Sequence, residues 1–165
     1  MTAKSLPDAE QLLTALIAQM RPHVSVETGL IGIVTGGAWL AERLHAALKL
    51  KVPCGTLDVS FYRDDFQHKG LKREVAPSDI PFEVEGRDLI LVDDVLYTGR
   101  TIRAAMNELF DYGRPASIRL ASLVDRGGRE LPIAAQFVGA VIDVRQSVEL
   151  QRDAQGRLSL ALSKD

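Results

Sequence analysis

Apolar residues recur along this chain with two different periods, and the exchange between them predicts the order of elements. Leu12, Leu13, Leu16, Ile17 and Met20 share one face at helical spacing behind Asp8, a residue type that caps helix starts, and Pro22 ends the segment. Leu30 to Val34 is a short apolar run rich in β-branched residues and predicts a buried strand. Thr35-Gly36-Gly37 punctuates it, and Ala38 to Leu50 returns to a helical period with Leu40, Leu44 and Leu48 in register. Thr56 to Tyr62 alternates Leu57, Val59 and Phe61 as a strand does. Arg63 to Pro81 is polar and broken by Gly70 and Pro77; such a stretch is functional or disordered, or it hides a hairpin. Asp88 to Val92 is the clearest strand, unbroken and apolar as in a sheet covered on both faces. A polar turn is expected next, then a helix from Thr101 to Tyr112 stopped by Gly113. Ser117 to Val124 and Gln136 to Ile142 add two strands, and Ser147 to Leu162 reads as a closing hairpin around Asp153-Ala154-Gln155-Gly156.

Strands alternating with helices predict an α/β fold, a mostly parallel central sheet flanked by helices. In such sheets ligands bind at the carboxyl ends of strands near a topological switch. The 165 residues fit one domain with a core that needs no staples. The formal net charge of -2 argues against a general affinity for nucleic acid or anionic membranes. Cys54 is the lone cysteine, which excludes an internal disulfide and a thiol-rich zinc site, and it reads as an inert buried thiol. Met1 to Gln11 holds no apolar run of the secretory kind, and the longest apolar stretches are too short to span a bilayer, so the expected address is the cytoplasm with no membrane partner.

Two strand-to-helix junctions carry unusual chemistry: Thr35-Gly36-Gly37 and the stretch Asp93-Asp94-Val95-Leu96-Tyr97-Thr98-Gly99-Arg100-Thr101. In the second, a buried strand delivers two carboxylates to the sheet edge. Neighbouring strand residues point to opposite faces, so both acids fit one site only if the chain has begun to turn. Paired carboxylates need hydroxyl donors, water or a cation; a sugar diol or magnesium would serve. Thr98 to Thr101 then opens a helix whose first N–H groups and dipole suit a phosphate, and Gly99 permits close approach. One loop thus offers acceptors for a diol and donors for a phosphate, the two ends of a ribose 5-phosphate. A receiver domain would place its paired acids near the chain start, with more chain after them. The Gly-x-x-x-x-Gly-Lys-Ser/Thr pattern of a P-loop is absent.

The loop from Asp93 to Thr101 resembles the signature of type I phosphoribosyltransferases. The likeness extends to Asp58 to Asp65 and to Leu123 to Ile133, which resemble the PyrR family, pyrimidine-operon attenuation regulators that also have uracil phosphoribosyltransferase activity. It covers most of the chain, to about Ile142. The resemblance implies a type I phosphoribosyltransferase fold over residues 1–165, with a small hood and a flexible loop. It implies a reaction of uracil with phosphoribosyl diphosphate (PRPP) to give UMP and diphosphate, with magnesium carried by PRPP, and a homo-oligomer. Asp93 to Thr101 would hold the ribose and 5-phosphate, and Thr35, Gly36 and Gly37 the diphosphate. Tyr62, Arg63, Asp64 and Asp65 would belong to a mobile lid, and Val124, Asp125, Arg126 and Arg129 to the base pocket. Catalytic roles fall to Asp93, Asp94 and Arg63. No metal ligand is assigned on the chain, since PRPP carries the magnesium.

Two departures from that family change the expectation. Its members usually carry Thr-Arg-Gly where this chain has Thr35-Gly36-Gly37, so a guanidinium is missing from the diphosphate loop and weakened transfer is expected. Basic residues on the first helix are replaced by Ala15 and Ala18, a common His by Gly128, and a lysine-rich stretch by Asp143-Val144-Arg145-Gln146-Ser147. Phosphate contacts carry most nucleic-acid affinity, so pyrimidine-operon RNA is a doubtful partner. The alternatives to the transferase are a non-catalytic sensor of UMP or PRPP that acts on transcription, and a transferase with a purine acceptor. Trp39 reads as a packing residue rather than a base platform, and His23, His45 and His68 as surface or capping groups. For Arg126 and Arg129, ligand contact and a solvated turn remain equal readings.

Overall fold

The computed structural model describes residues 5–59 and 78–163. Helix α1 spans Ala9–Met20, and the Asp8 carboxylate caps it by accepting the N–H groups of Glu10 at 2.9 Å and Gln11 at 3.2 Å. Leu13, Leu16 and Met20 are its buried stripe, and a single 3₁₀ turn containing Pro22 ends it. Strand β1, Gly29–Ile33, is buried at every position. Helix α2 runs from Gly36 to Leu48, two residues earlier at each end than the apolar period predicts. The two glycines are its first turn because that turn is pressed against the sheet. A Cβ on Gly37 would lie 2.3 Å from the Val92 carbonyl, and one on Gly32 would lie 2.6 Å from the backbone of Gly37 and Ala38.

Strand β2 is Gly55–Leu57, shorter than expected: Asp58 and Val59 have already left the strand, and residues 60–77 lie outside the described chain. Strand β3, Asp88–Leu96, is longer than its apolar run. It continues through both carboxylates because strand β4, Ser117–Asp125, pairs with it in parallel as far as Leu96 with Asp125. The tertiary pairing thus overrides the polar-turn reading after Val92. Helix α3 is Arg100–Leu109, and strand β5 is Phe137–Val141. Strands β6, Val148–Arg152, and β7, Leu158–Leu162, form the antiparallel hairpin, with Asp153 Oδ1 accepting the N–H groups of Gln155 and Arg157 at 2.9 Å.

The five parallel strands stand in the order β2-β1-β3-β4-β5. The chain leaves β1 outward to β2 and returns to β3 on the other side, so the switch lies between β1 and β3. One face of the sheet packs Leu30, Ile90 and Val92 under α1, α2 and the hairpin residues Leu150 and Leu158. The other packs Ile31, Leu89 and Leu91 under Ile102, Ala105 and Leu109 of α3. Trp39 lies half-buried against the first of these cores, which agrees with a packing role. His45 Nε2 is 2.9 Å from the Val52 carbonyl, and His23 meets the Phe137 ring at 5.6 Å.

Burial, and secondarily the Glu42 carboxylate, push the Cys54 thiol from 9.0 up to about 11. The folded form therefore holds this proton more tightly than the unfolded chain does. The associated stability is present below about pH 9 and lost as pH rises through about 11. In urea titrations across that window, a Cys54→Ala variant should lose less stability with rising pH than the parent. Parallel pH slopes would show that the thiol is not perturbed.

Candidate functional site

The carboxyl ends of β1 and β3 flank the switch point, and the two glycine-rich junctions meet there. The acids leave β3 in different directions, as alternation on a strand requires. Asp93 is 4% exposed, and its Oδ1 accepts the Asp94 N–H at 2.9 Å. Asp94 is half-buried, with Oδ1 accepting the Val95 N–H at 2.8 Å. The Asp94 carboxylate lies against the first turn of α2: a Cβ on Gly36 would come within 2.4 Å of Asp94 Oδ2. The acids therefore are not gathered by an early turn. Asp94 stands instead directly beside the loop expected to take diphosphate.

The turn comes after β3. Gly99 caps α3 with φ +94, a conformation that favours glycine, and brings no side-chain bond to the helix start. Thr98 is buried, and its Oγ1 accepts the Arg100 N–H at 3.2 Å. Thr101 lies half-buried in the first turn of α3. The positive end of the α3 dipole and its first-turn donors thus face the loop in which an anion would sit.

The segment after β4 is stitched to this loop. The Arg126 N–H bonds the Leu96 carbonyl at 2.9 Å, and the N–H groups of Glu130 and Leu131 bond the Thr98 carbonyl at 2.9 and 3.2 Å. Arg129 donates to Asp125 Oδ2 at 2.7 Å and to the Tyr97 carbonyl. The Arg126 guanidinium lies 4.0 Å over the Tyr97 ring and donates to the carbonyls of Val144 and Arg145. Asp125 Oδ1 accepts the Gly127 N–H at 2.9 Å. Gly128 has φ +72, and a Cβ there would come within 2.4 Å of the Tyr97 ring, so this conformation has no room for a histidine. The two arginines are engaged inside the protein rather than merely solvating a turn.

Of the residues singled out from sequence, Thr35, Gly36, Gly37, Asp93 and Asp94 come together at the switch. Val95, Leu96, Tyr97, Thr98, Gly99, Arg100 and Thr101 form the adjoining strand end and helix start, and Val124, Asp125, Arg126 and Arg129 stand beside them. Tyr62, Arg63, Asp64 and Asp65 lie outside the described residues. Sequence reading named Tyr97 and the segment ending at Ile133, but not the contacts that fasten one to the other: Arg126 over the Tyr97 ring and Ile133 beside Gly99. The paired glycines at Gly127-Gly128 were the available sign of such a close approach. Among the described residues no group of three or more His, Cys, Asp or Glu could hold a metal. Asp94 beside a glycine loop suits magnesium as the companion of a phosphate ligand, which supplies further oxygens. Among the described residues no helix is long and apolar enough to cross a membrane.

The model of the phosphoribosyl transferase domain matches residues 4–153. A protein of Pseudomonas savastanoi pv. phaseolicola named bifunctional protein PyrR is 48% identical over 162 residues, covering 96% of this chain and 95% of its own. The protein of the same name from Pseudomonas paraeruginosa is 52% identical over 159 residues, covering 93% and 89%. Among solved structures, a hypoxanthine-guanine phosphoribosyltransferase from Bacillus anthracis is similar with a TM-score of 0.69 at 20% identity, over 88% of this chain and 86% of that one. A hypoxanthine phosphoribosyltransferase from Trypanosoma cruzi is similar with a TM-score of 0.70 at 22% identity, over 96% and 94%. At such identity these two structures speak for the fold alone. With its parallel sheet, its switch-point acids and these relatives, the chain belongs to the phosphoribosyltransferase family, in its PyrR group.

Proposed function

We propose that this protein is a uracil phosphoribosyltransferase that converts uracil and PRPP to UMP and diphosphate, and that it takes part in regulating pyrimidine genes. The observation that carries the reading is the placement of Asp94 against the diphosphate-type loop at the switch, on the strand that leads into a phosphate-type helix start. The relatives are called bifunctional, which supports a transferase with a second role. In this reading Asp94 holds the ribose hydroxyls while buried Asp93, on the opposite face of β3, braces it through the Asp94 N–H; Thr98 to Thr101 take the 5-phosphate, and the N–H groups of Gly36 and Gly37 the diphosphate. The nitrogen of uracil forms its bond to the anomeric carbon as the bond from that carbon to diphosphate breaks, and the proton from nitrogen passes to solvent. Magnesium carried by PRPP, with Asp94 beside it, would offset charge on the leaving group. The chain's own part is orientation and electrostatic stabilisation. A cytoplasmic homo-oligomer fits the same family likeness.

Protein incubated with magnesium, PRPP and labelled uracil should yield UMP and diphosphate, and Asp94→Asn should lower turnover by about a hundredfold. Ligand binding without product would leave the sensor reading instead. Gly36→Arg forces the Asp94 carboxylate to rotate, but its guanidinium can pair with diphosphate. It should raise kcat/KM for PRPP several-fold, and an unchanged value would remove the idea that Gly36 weakens transfer.

Arg129 fixes the segment that would form the base pocket by bridging Asp125 to the Tyr97 carbonyl. Arg129→Gln should raise KM for uracil about tenfold while KM for PRPP moves less, with Arg129→Lys in between. Equal losses toward both substrates would contradict a role confined to the base side.

Ala15 and Ala18 lie exposed on the outer face of α1, so the basic contacts missing there are not replaced by neighbours on that helix face. In gel shifts, affinity for a pyrimidine-operon leader RNA should be weak and close to that for an unrelated RNA of equal length. Tight, sequence-specific binding would refute this.

A further inference from the structure

The diphosphate loop of this chain has no charged side chain. Thr35, Gly36 and Gly37 supply backbone N–H groups and one hydroxyl, whereas a diphosphate brings several negative charges. The fold brings a cation from the far end of the chain onto Trp39, one turn of α2 beyond that loop. Arg152, the last residue of β6, sets its guanidinium carbon 4.6 Å from the centroid of the Trp39 ring. Trp39 follows Gly36 by three residues, one turn of α2, or about 4.5 Å along the helix axis.

The hairpin that carries Arg152 is firmly seated. Val148, Leu150 and Leu158 are buried, and β6 lies against β3, the strand that bears Asp94. Arg43 donates to the Gly156 carbonyl at the hairpin tip and pairs with Glu10 at 2.7 Å, while Arg157 pairs with Asp8 at 3.8 Å. Two carboxylates on this face, Glu10 and Asp8, thus pair with Arg43 and Arg157. Arg152 is exposed and stacked on the indole. Stacking engages the face of a guanidinium and leaves its in-plane N–H donors for an anion, the geometry suited to a forked phosphate contact.

We propose that Arg152, held on the Trp39 ring, is the side-chain cation of the diphosphate subsite, replacing from the hairpin the charge that Gly36 removes from the loop. The proposal rests on the transferase reading and gives the C-terminal hairpin a part in substrate binding. It also requires that Arg152 and a cation at position 36 substitute for one another.

A double-mutant cycle tests this. Arg152→Gln should raise KM for PRPP and the inhibition constant of inorganic diphosphate about tenfold, while affinity for ribose 5-phosphate, which lacks the diphosphate, stays within twofold. In a Gly36→Arg background the same change should cost less than about threefold, and Arg152→Lys should retain most of the parent affinity. If Arg152 merely packs the hairpin, Arg152→Gln will cost the same in both backgrounds or weaken ribose 5-phosphate equally; either result overturns the proposal, as does an unchanged KM for PRPP. Calorimetry with inorganic diphosphate and magnesium keeps the two readings apart. A parent that makes no UMP yet binds diphosphate through Arg152 would fail the transferase reading alone.

Discussion

Everything at the carboxyl edge of the sheet depends on how closely the first turn of α2 approaches β3. Gly32, Gly36 and Gly37 have no side chains, and each would need one to pass through backbone or through the Asp94 carboxylate. With no Cβ to separate them, the helix start and the acidic strand end stand in van der Waals contact. A loop rich in N–H donors and a carboxylate therefore share one small region at the switch between β1 and β3. A single ligand with both a diol and a phosphate chain can reach both.

A second contact surface fixes the other side of the site. The segment after β4 does not hang free beside the phosphate-type loop. It bonds to the Leu96, Tyr97 and Thr98 carbonyls and lays Arg126 on the Tyr97 ring. The loop that would select a base is thereby referenced to the loop that would hold the phosphate, so a displacement of either is felt by the other. Gly128 belongs to this contact: its left-handed backbone and its closeness to Tyr97 explain why the chain has no side chain there. The same glycine leaves that stretch of surface without a side chain that could carry charge. One local packing requirement thus bears on both pocket geometry and surface charge.

Charge around the α2 end is arranged by elements distant in sequence. Arg43 and Glu10 tie α2 to α1, Arg157 and Asp8 tie the hairpin to the start of α1, and Arg152 stacks on Trp39. Trp39 is thus a packing residue, as its helical position suggests, and also a platform for a cation, which that position could not reveal.

The element order, the parallel α/β class and the acid-then-threonine loop were legible in sequence because they rest on local rules: period, caps, turn residues and the chemistry of adjacent side chains. Asp8 capped α1, and Asp153 turned the hairpin, as such residues do. The boundaries that moved did so where a distant partner decided them. Strand β3 ran through its acids because β4 offered hydrogen bonds to Leu96, and the first turn of α2 presses on β3 because Gly37 puts no Cβ against the Val92 carbonyl. The roles of Tyr97, Arg126, Arg129 and Arg152 depended on residues up to 113 positions away, as the Arg43 bond to Gly156 also does. Periodicity reports which side of an element faces inward, but not which other element meets it there; that is settled only when the chain closes on itself.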